Sequence, residues 1–249
     1  MTEQTHRPVS IQDHIRSYQE LVGGDIQFAF QTILDTEALD VVAFEALVRG
    51  IHGETAATVM SRISHDQRFS FDQACRIRAI EAAARNQIGV DLHLNCSDIK
   101  MRNVELVTSI SLHIARRYGI ESDRLVLEVG NLANLAASGQ AAEVGAALKA
   151  AGLRTLADNF GRRNADLCSI AHFRPEQLKL DRQLVQGVHQ NPINQAIIRA
   201  CCHLCEDLEI LVVAAGVESI EEFRWLQEAG IQRFQGYFFT QPGLEDELI

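Results

Sequence analysis

Leu156-Ala157-Asp158-Asn159-Phe160-Gly161 is the stretch on which the reading of this chain turns. An apolar run reaches a carboxylate, an amide and a glycine where a strand should hand over to a loop, the arrangement that builds sites at strand tips of parallel α/β folds. Outward from it, strand-like runs recur at residues 27–33, 41–44, 91–95, 125–129, 154–158, 177–180, 210–214 and 234–236. Helical periodicity fills the intervals at 13–22, 59–64, 71–86, 103–118, 140–151, 193–208 and 220–229. Strand and helix alternate without a Pro/Gly/Ser-rich linker, which predicts a parallel sheet covered by helices. About eight strands predict an α/β fold of the closed (β/α)8 TIM-like barrel type. An open doubly wound sheet is disfavoured, because no Gly-rich phosphate loop follows the first strand. The expected organisation is an N-terminal helical extension over residues 1–24 and a barrel over 25–249.

Composition narrows the function. With 249 residues, 47% hydrophobic and 22% charged, the chain can bury a full core. A formal net charge of -10 argues against gripping a nucleic-acid polymer, which needs Lys and Arg to neutralise phosphates. The start, Met1-Thr2-Glu3-Gln4-Thr5-His6-Arg7-Pro8, has no apolar signal region, and the longest apolar stretch, 210–216, cannot span a bilayer. The expectation is a cytoplasmic protein with no membrane partner. The six cysteines lie within apolar or helical patterns and read as reduced core thiols. Cys201-Cys202-His203-Leu204-Cys205 has C-x-x-C spacing, yet it sits inside a helical pattern and is assigned to packing.

At the C-terminal ends of the expected strands stand Glu45, Asn95, Glu128, Asp158, Lys179 and Gln235. Three carboxylates and an amide are hard oxygen donors suited to Mg²⁺, Mn²⁺ or Ca²⁺, whereas zinc more often recruits His or Cys. Lys179 is suited to orienting a water or neutralising a phosphate.

Glu45-Ala46-Leu47-Val48-Arg49, Asp158-Asn159-Phe160-Gly161, Lys179-Leu180-Asp181, Ala215-Gly216-Val217-Glu218 and Gln235-Gly236-Tyr237 together resemble the EAL domain, a family that hydrolyses cyclic di-GMP. The resemblance runs from about Gln27 to Pro242 with the motifs in family order. It implies a barrel with one antiparallel strand and a possible homodimer. It also implies that Glu45, Asn95, Glu128 and Asp158 are metal ligands for Mg²⁺ or Mn²⁺ at a single site, and that Lys179 helps position the attacking water. Gln31, Leu47, Arg49, Asp181 and Gln235 match positions that hold the dinucleotide, and the planar fork of Arg49 suits a phosphate.

The family pattern breaks at three acids. Asn159 stands where the family has a second aspartate, Ala215 where it has the first glutamate of AEGVE, and Asn131 where it tends to have another glutamate. Arg162-Arg163-Asn164-Ala165-Asp166 replaces the small residues usual after Phe-Gly. Removing acids and adding two bases should repel a second divalent ion, and two-metal hydrolysis needs both. Arg162 or Arg163 is expected to offset phosphate charge in its place. The leading expectation is a degenerate, catalytically inactive signalling module that binds cyclic di-GMP or docks a protein partner in trans. The alternatives are a weak one-metal phosphodiesterase and a pure protein-interaction domain.

Overall fold

The computed structural model describes residues 10–22, 25–162 and 167–244. Helix α1 (Ile11–Val22) leads into the antiparallel pair β1 (Ile26–Asp35) and β2 (Asp40–Gly50). Then come α2 (Ala56–Ser61), α3 (Arg68–Arg85), β3 (Asp91–Cys96), α4 (Met101–Arg117), β4 (Leu125–Val129), α5 (Leu132–Ala137) and α6 (Ala141–Ala150). The second half runs β5 (Arg154–Phe160), α7 (Leu167–Phe173), β6 (Gln177–Leu180), α8 (Arg182–Val185) and α9 (Pro192–Asp207). It closes with β7 (Leu211–Ala215), α10 (Ile220–Glu228), β8 (Arg233–Gln235) and β9 (Gly243–Leu244).

The sheet order is β2-β3-β4-β5-β6-β7-β8-β1, and β1 pairs again with β2, so the sheet closes on itself. From β2 to β8 all neighbours are parallel, while β1 is antiparallel to both strands beside it; β9 pairs with an outer stretch of β1. This is the expected barrel with one reversed strand. Period-two alternation sends Ile33, Ala43, Val126, Leu156 and Val213 into the barrel interior. The larger core lies between strands and helices, and it includes Ile15, Tyr18 and Val22 of α1. Helix starts follow local chemistry: Asn191 accepts from the amides of Ile193 and Asn194 ahead of Pro192, and Ser219 forms a reciprocal cap with Glu222. Among the described residues no helix is long and apolar enough to cross a membrane.

Two local departures shape the mouth. Strand β2 continues to Gly50, pairing with β1 beyond Ala46, where its ladder to β3 stops. The β1–β2 ribbon therefore rises past the barrel, and Glu45 lies within a strand and not at its end. In β5 the pairing to β6 shifts register between Ala157 and Phe160, and Asn159 takes a left-handed φ of 62°. Gly161 follows at φ 95°, and a Cβ there would stand 2.2 Å from Leu184 Cδ1, so only glycine fits.

Candidate functional site

Seven strand residues meet at the mouth. Lys179 on β6 is buried, and its Nζ donates to Glu45 Oε2 at 2.9 Å and, more closely, to Glu128 Oε1. Glu45 also accepts from Gln235 Nε2 at 2.7 Å and Asn95 Nδ2 at 3.3 Å. Gln235 in turn donates to Gln31 Oε1 at 3.2 Å. Glu128 receives a further contact from His93 Nδ1 at 2.9 Å, and its Oε2 is buried without a partner. Six strands thus fix one network, which gives the preorganisation that loops alone do not supply.

Burial and charge pull these acids apart. Burial opposes ionisation of Glu45, but the Lys179 charge and the Gln235 hydrogen bond outweigh it and hold the carboxyl at about 2. Burial and the neighbouring Glu45 charge push Glu128 up to about 8 despite Lys179. Burial likewise lifts Asp158 to about 7, with Lys179 opposing and Glu128 and Glu45 adding to the rise. Burial favours neutral Lys179, yet Glu128, Glu45 and Asp158 more than offset this and raise its pKa. Burial and Lys179 lower His93 to about 3, so its ring is neutral. One ammonium faces three carboxyls, a site short of positive charge.

Hard oxygen donors and an orphaned buried carboxylate oxygen fit a divalent cation. Among the described residues, however, no three His, Cys, Asp or Glu side chains stand ready-arranged as ligands. Lys179 lies among them, so metal ligation would require Glu45 and Glu128 to exchange their contacts with the ammonium for a shared ion.

Above the network lies a cleft of about 260 Å³ lined by Gln31, Asp158, Asp181, Ala215, Gly216 and Tyr237, among others. Asn159 lines it too, and its amide donates to Asp158 Oδ2. Asp181 caps α8 by accepting from Gln183 N at 2.8 Å. Glu218 is engaged at the rim, paired with Arg182 at 3.1 Å and with Gln186 Nε2 at 3.0 Å. Leu47 lines a second, mostly apolar cavity of about 190 Å³ with Phe28, Met60 and Phe71. Arg49 stands higher on the ribbon, its Nη1 donating to Val48 O at 2.9 Å. Asn131 donates to Ile99 O at 3.1 Å. Arg162 lies exposed in the turn after β5, and Arg163 lies outside the described residues.

Two groups escaped the sequence reading. His93 lies in phase with Asp91 and Asn95 on β3, so alternation alone marks it as inward-facing. Arg76 of α3 is buried against Asp72 at 2.5 Å and donates to Asn95 O at 3.0 Å, while Asp72 accepts from Ser97 N at 3.3 Å. This ion pair braces the tip of β3. Its i,i+4 spacing on an otherwise apolar helix face was the available signal.

Fold and site define a class: an α/β barrel with acidic oxygen donors and a buried lysine at the C-terminal mouth of its strands. The EAL domain model matches residues 15–242, and the chain belongs to the EAL domain family. It is 29% identical over 218 residues to the blue light- and temperature-regulated antirepressor BluF of Escherichia coli (strain K12), covering 87% of this chain and 54% of that protein. It is 26% identical over 237 residues to the probable cyclic di-GMP phosphodiesterase PdeN of the same organism, covering 89% and 44%. The chain thus spans about half the length of these curated relatives. Among solved structures, a standalone EAL protein from Vibrio cholerae O395, in its c-di-GMP bound form, superposes with a TM-score of 0.78 at 31% identity, covering 90% and 94% of the two chains. Klebsiella pneumoniae BlrP1 in complex with manganese and cyclic di-GMP superposes with a TM-score of 0.80 at 32% identity, covering 90% and 57%.

Proposed function

We propose that this chain is a degenerate EAL signalling module that binds cyclic di-GMP without efficient turnover and relays that state to a protein partner. The carrying observation is the pair at the cleft: the Asn159 amide bonded to Asp158, and the Ala215 methyl where the resemblance calls for acids. A methyl cannot ligate a metal, and an amide keeps an oxygen but brings no charge, so a second ion would be held weakly. The oxygen donors Glu45, Asn95, Glu128 and Asp158 are assigned to one divalent ion, which when bound would neutralise phosphate charge. Gln31, Asp181 and Gln235 are assigned to the ligand from the cleft, with Leu47 and Arg49 reaching it from the ribbon. Arg162 or Arg163 is assigned to offset phosphate charge in place of the second ion. The likeness to an antirepressor supports a docking output, and a homodimer is proposed on family resemblance alone.

The retained Glu45, Glu128, Asp158 and Lys179 favour a second reading, a slow one-metal phosphodiesterase in which Lys179 positions the attacking water. Chromatography of cyclic di-GMP incubated with the protein and saturating Mg²⁺ or Mn²⁺, beside Glu45→Ala, separates the two. No turnover above the control is expected; turnover abolished by Glu45→Ala would establish the phosphodiesterase. Isothermal titration then tests binding, and silence with and without Mg²⁺ would leave a docking module alone.

A further inference from the structure

Glu128 has unequal oxygens. Oε1 takes both the Lys179 ammonium and the His93 ring, whereas Oε2 is buried with no partner. A buried carboxyl oxygen left bare is costly unless a proton or a cation occupies it. An oxygen already accepting from an ammonium is a poor place for a further proton, so His93 Nδ1 is the donor and the ring carries its proton there. His93 is itself 1% exposed on β3 and its Nε2 is without a partner, so Nδ1 makes the ring's one side-chain hydrogen bond among the described residues.

We infer that His93 is a positioning residue: its Nδ1–H holds Glu128 by Oε1 and so presents Oε2 to the divalent cation. The inference rests on the proposed reading of Glu128 as a metal ligand. With an ion in place of the Lys179 contact, His93 would be the remaining donor that holds the Glu128 carboxylate in its orientation. Such outer partners of metal ligands typically set affinity by about 10–100-fold. His93 does not itself ligate through Nδ1, because that nitrogen is engaged.

The test titrates the full chain with Mn²⁺ alone and follows the paramagnetic resonance signal of the free ion, at one pH, alongside metal-free melting curves. His93→Val should weaken Mn²⁺ binding by about tenfold. His93→Asn, whose amide nitrogen falls near Nδ1, should regain most of that loss even where both variants melt early. A purely structural histidine would lower both melting curves and leave Mn²⁺ affinity alone. Equal affinity in wild type and His93→Val, or equal losses in both variants, overturns the inference while the metal site stands. No Mn²⁺ binding by wild type overturns the metal reading, and the inference with it. Nitrogen resonances of the wild-type imidazole give a check independent of any variant: an Nδ1–H tautomer is expected, and an Nε2–H tautomer contradicts the proposal.

Discussion

Asn159 shows how one atom changes a site. A second aspartate there would set two carboxylates side by side, whereas the amide donates to Asp158 and removes that repulsion. Restoring the acids reverses the exchange. Asn159→Asp with Ala215→Glu should bring measurable cyclic di-GMP turnover with Mg²⁺ where wild type shows none above the control, while lowering metal-free stability; chromatography and thermal melts read both effects. Lys179 gives a second prediction. Replacing it with Met leaves Glu45 and Glu128 without their shared cation, and breaking such a buried pair typically costs about 3–5 kcal/mol. Mg²⁺ should return part of that loss in a denaturant titration, because the ion takes over the charge. The acids were legible in the sequence because each stands in or at the end of an apolar run. Their actual network was not, since hydrogen bonds such as Gln235 to Glu45 join residues 190 positions apart.

At the scale of elements, closure depends on β1 meeting β8, where Asp35 stands opposite Arg233 and accepts from its Nε at 3.2 Å. Burial opposes ionisation of Asp35, but the amides of Ala38 and Glu37, together with Arg233, hold its carboxyl below the ordinary 3.8. A depressed folded-state pKa gives stability that is fully present above 3.8 and is lost as pH falls below it. Asp35→Asn should therefore lower stability at pH 7 and flatten the acid limb of a melting-temperature profile below the ordinary 3.8. The alternation of β3 to β8 with long helices was readable because packing enforces periods of 2 and 3.6. The short helices α5, α7 and α8 were not, for they span 6, 7 and 4 residues, too few to show a period. The upper half of β2 was missed because Arg49 ends an alternation that serves a half-exposed ribbon and no barrel wall.

For the molecule as a whole, the net charge of -10 sets the electrostatic problem of holding an anion. On the proposed reading a doubly charged dinucleotide approaches a protein of like sign, and the barrel mouth already has more carboxyls than ammonium groups. Binding without a cation should therefore be weak, and Mg²⁺ should act as the bridge that converts repulsion into ligation. Thermal shift makes this quantitative: a ligand that binds only the folded state at about 100 times its Kd adds about 2.7 kcal/mol, or roughly 5–10 °C for a chain of this size. Cyclic di-GMP with Mg²⁺ should give a shift of that order, cyclic di-GMP alone should give much less, and Glu45→Ala should remove the difference. A full shift without Mg²⁺ would mean that arginines on the ribbon or the turn neutralise the phosphates unaided. No shift under either condition would move the chain's output from ligand sensing to its surface, and the barrel mouth would then be a scaffold left over from chemistry that other EAL domains perform.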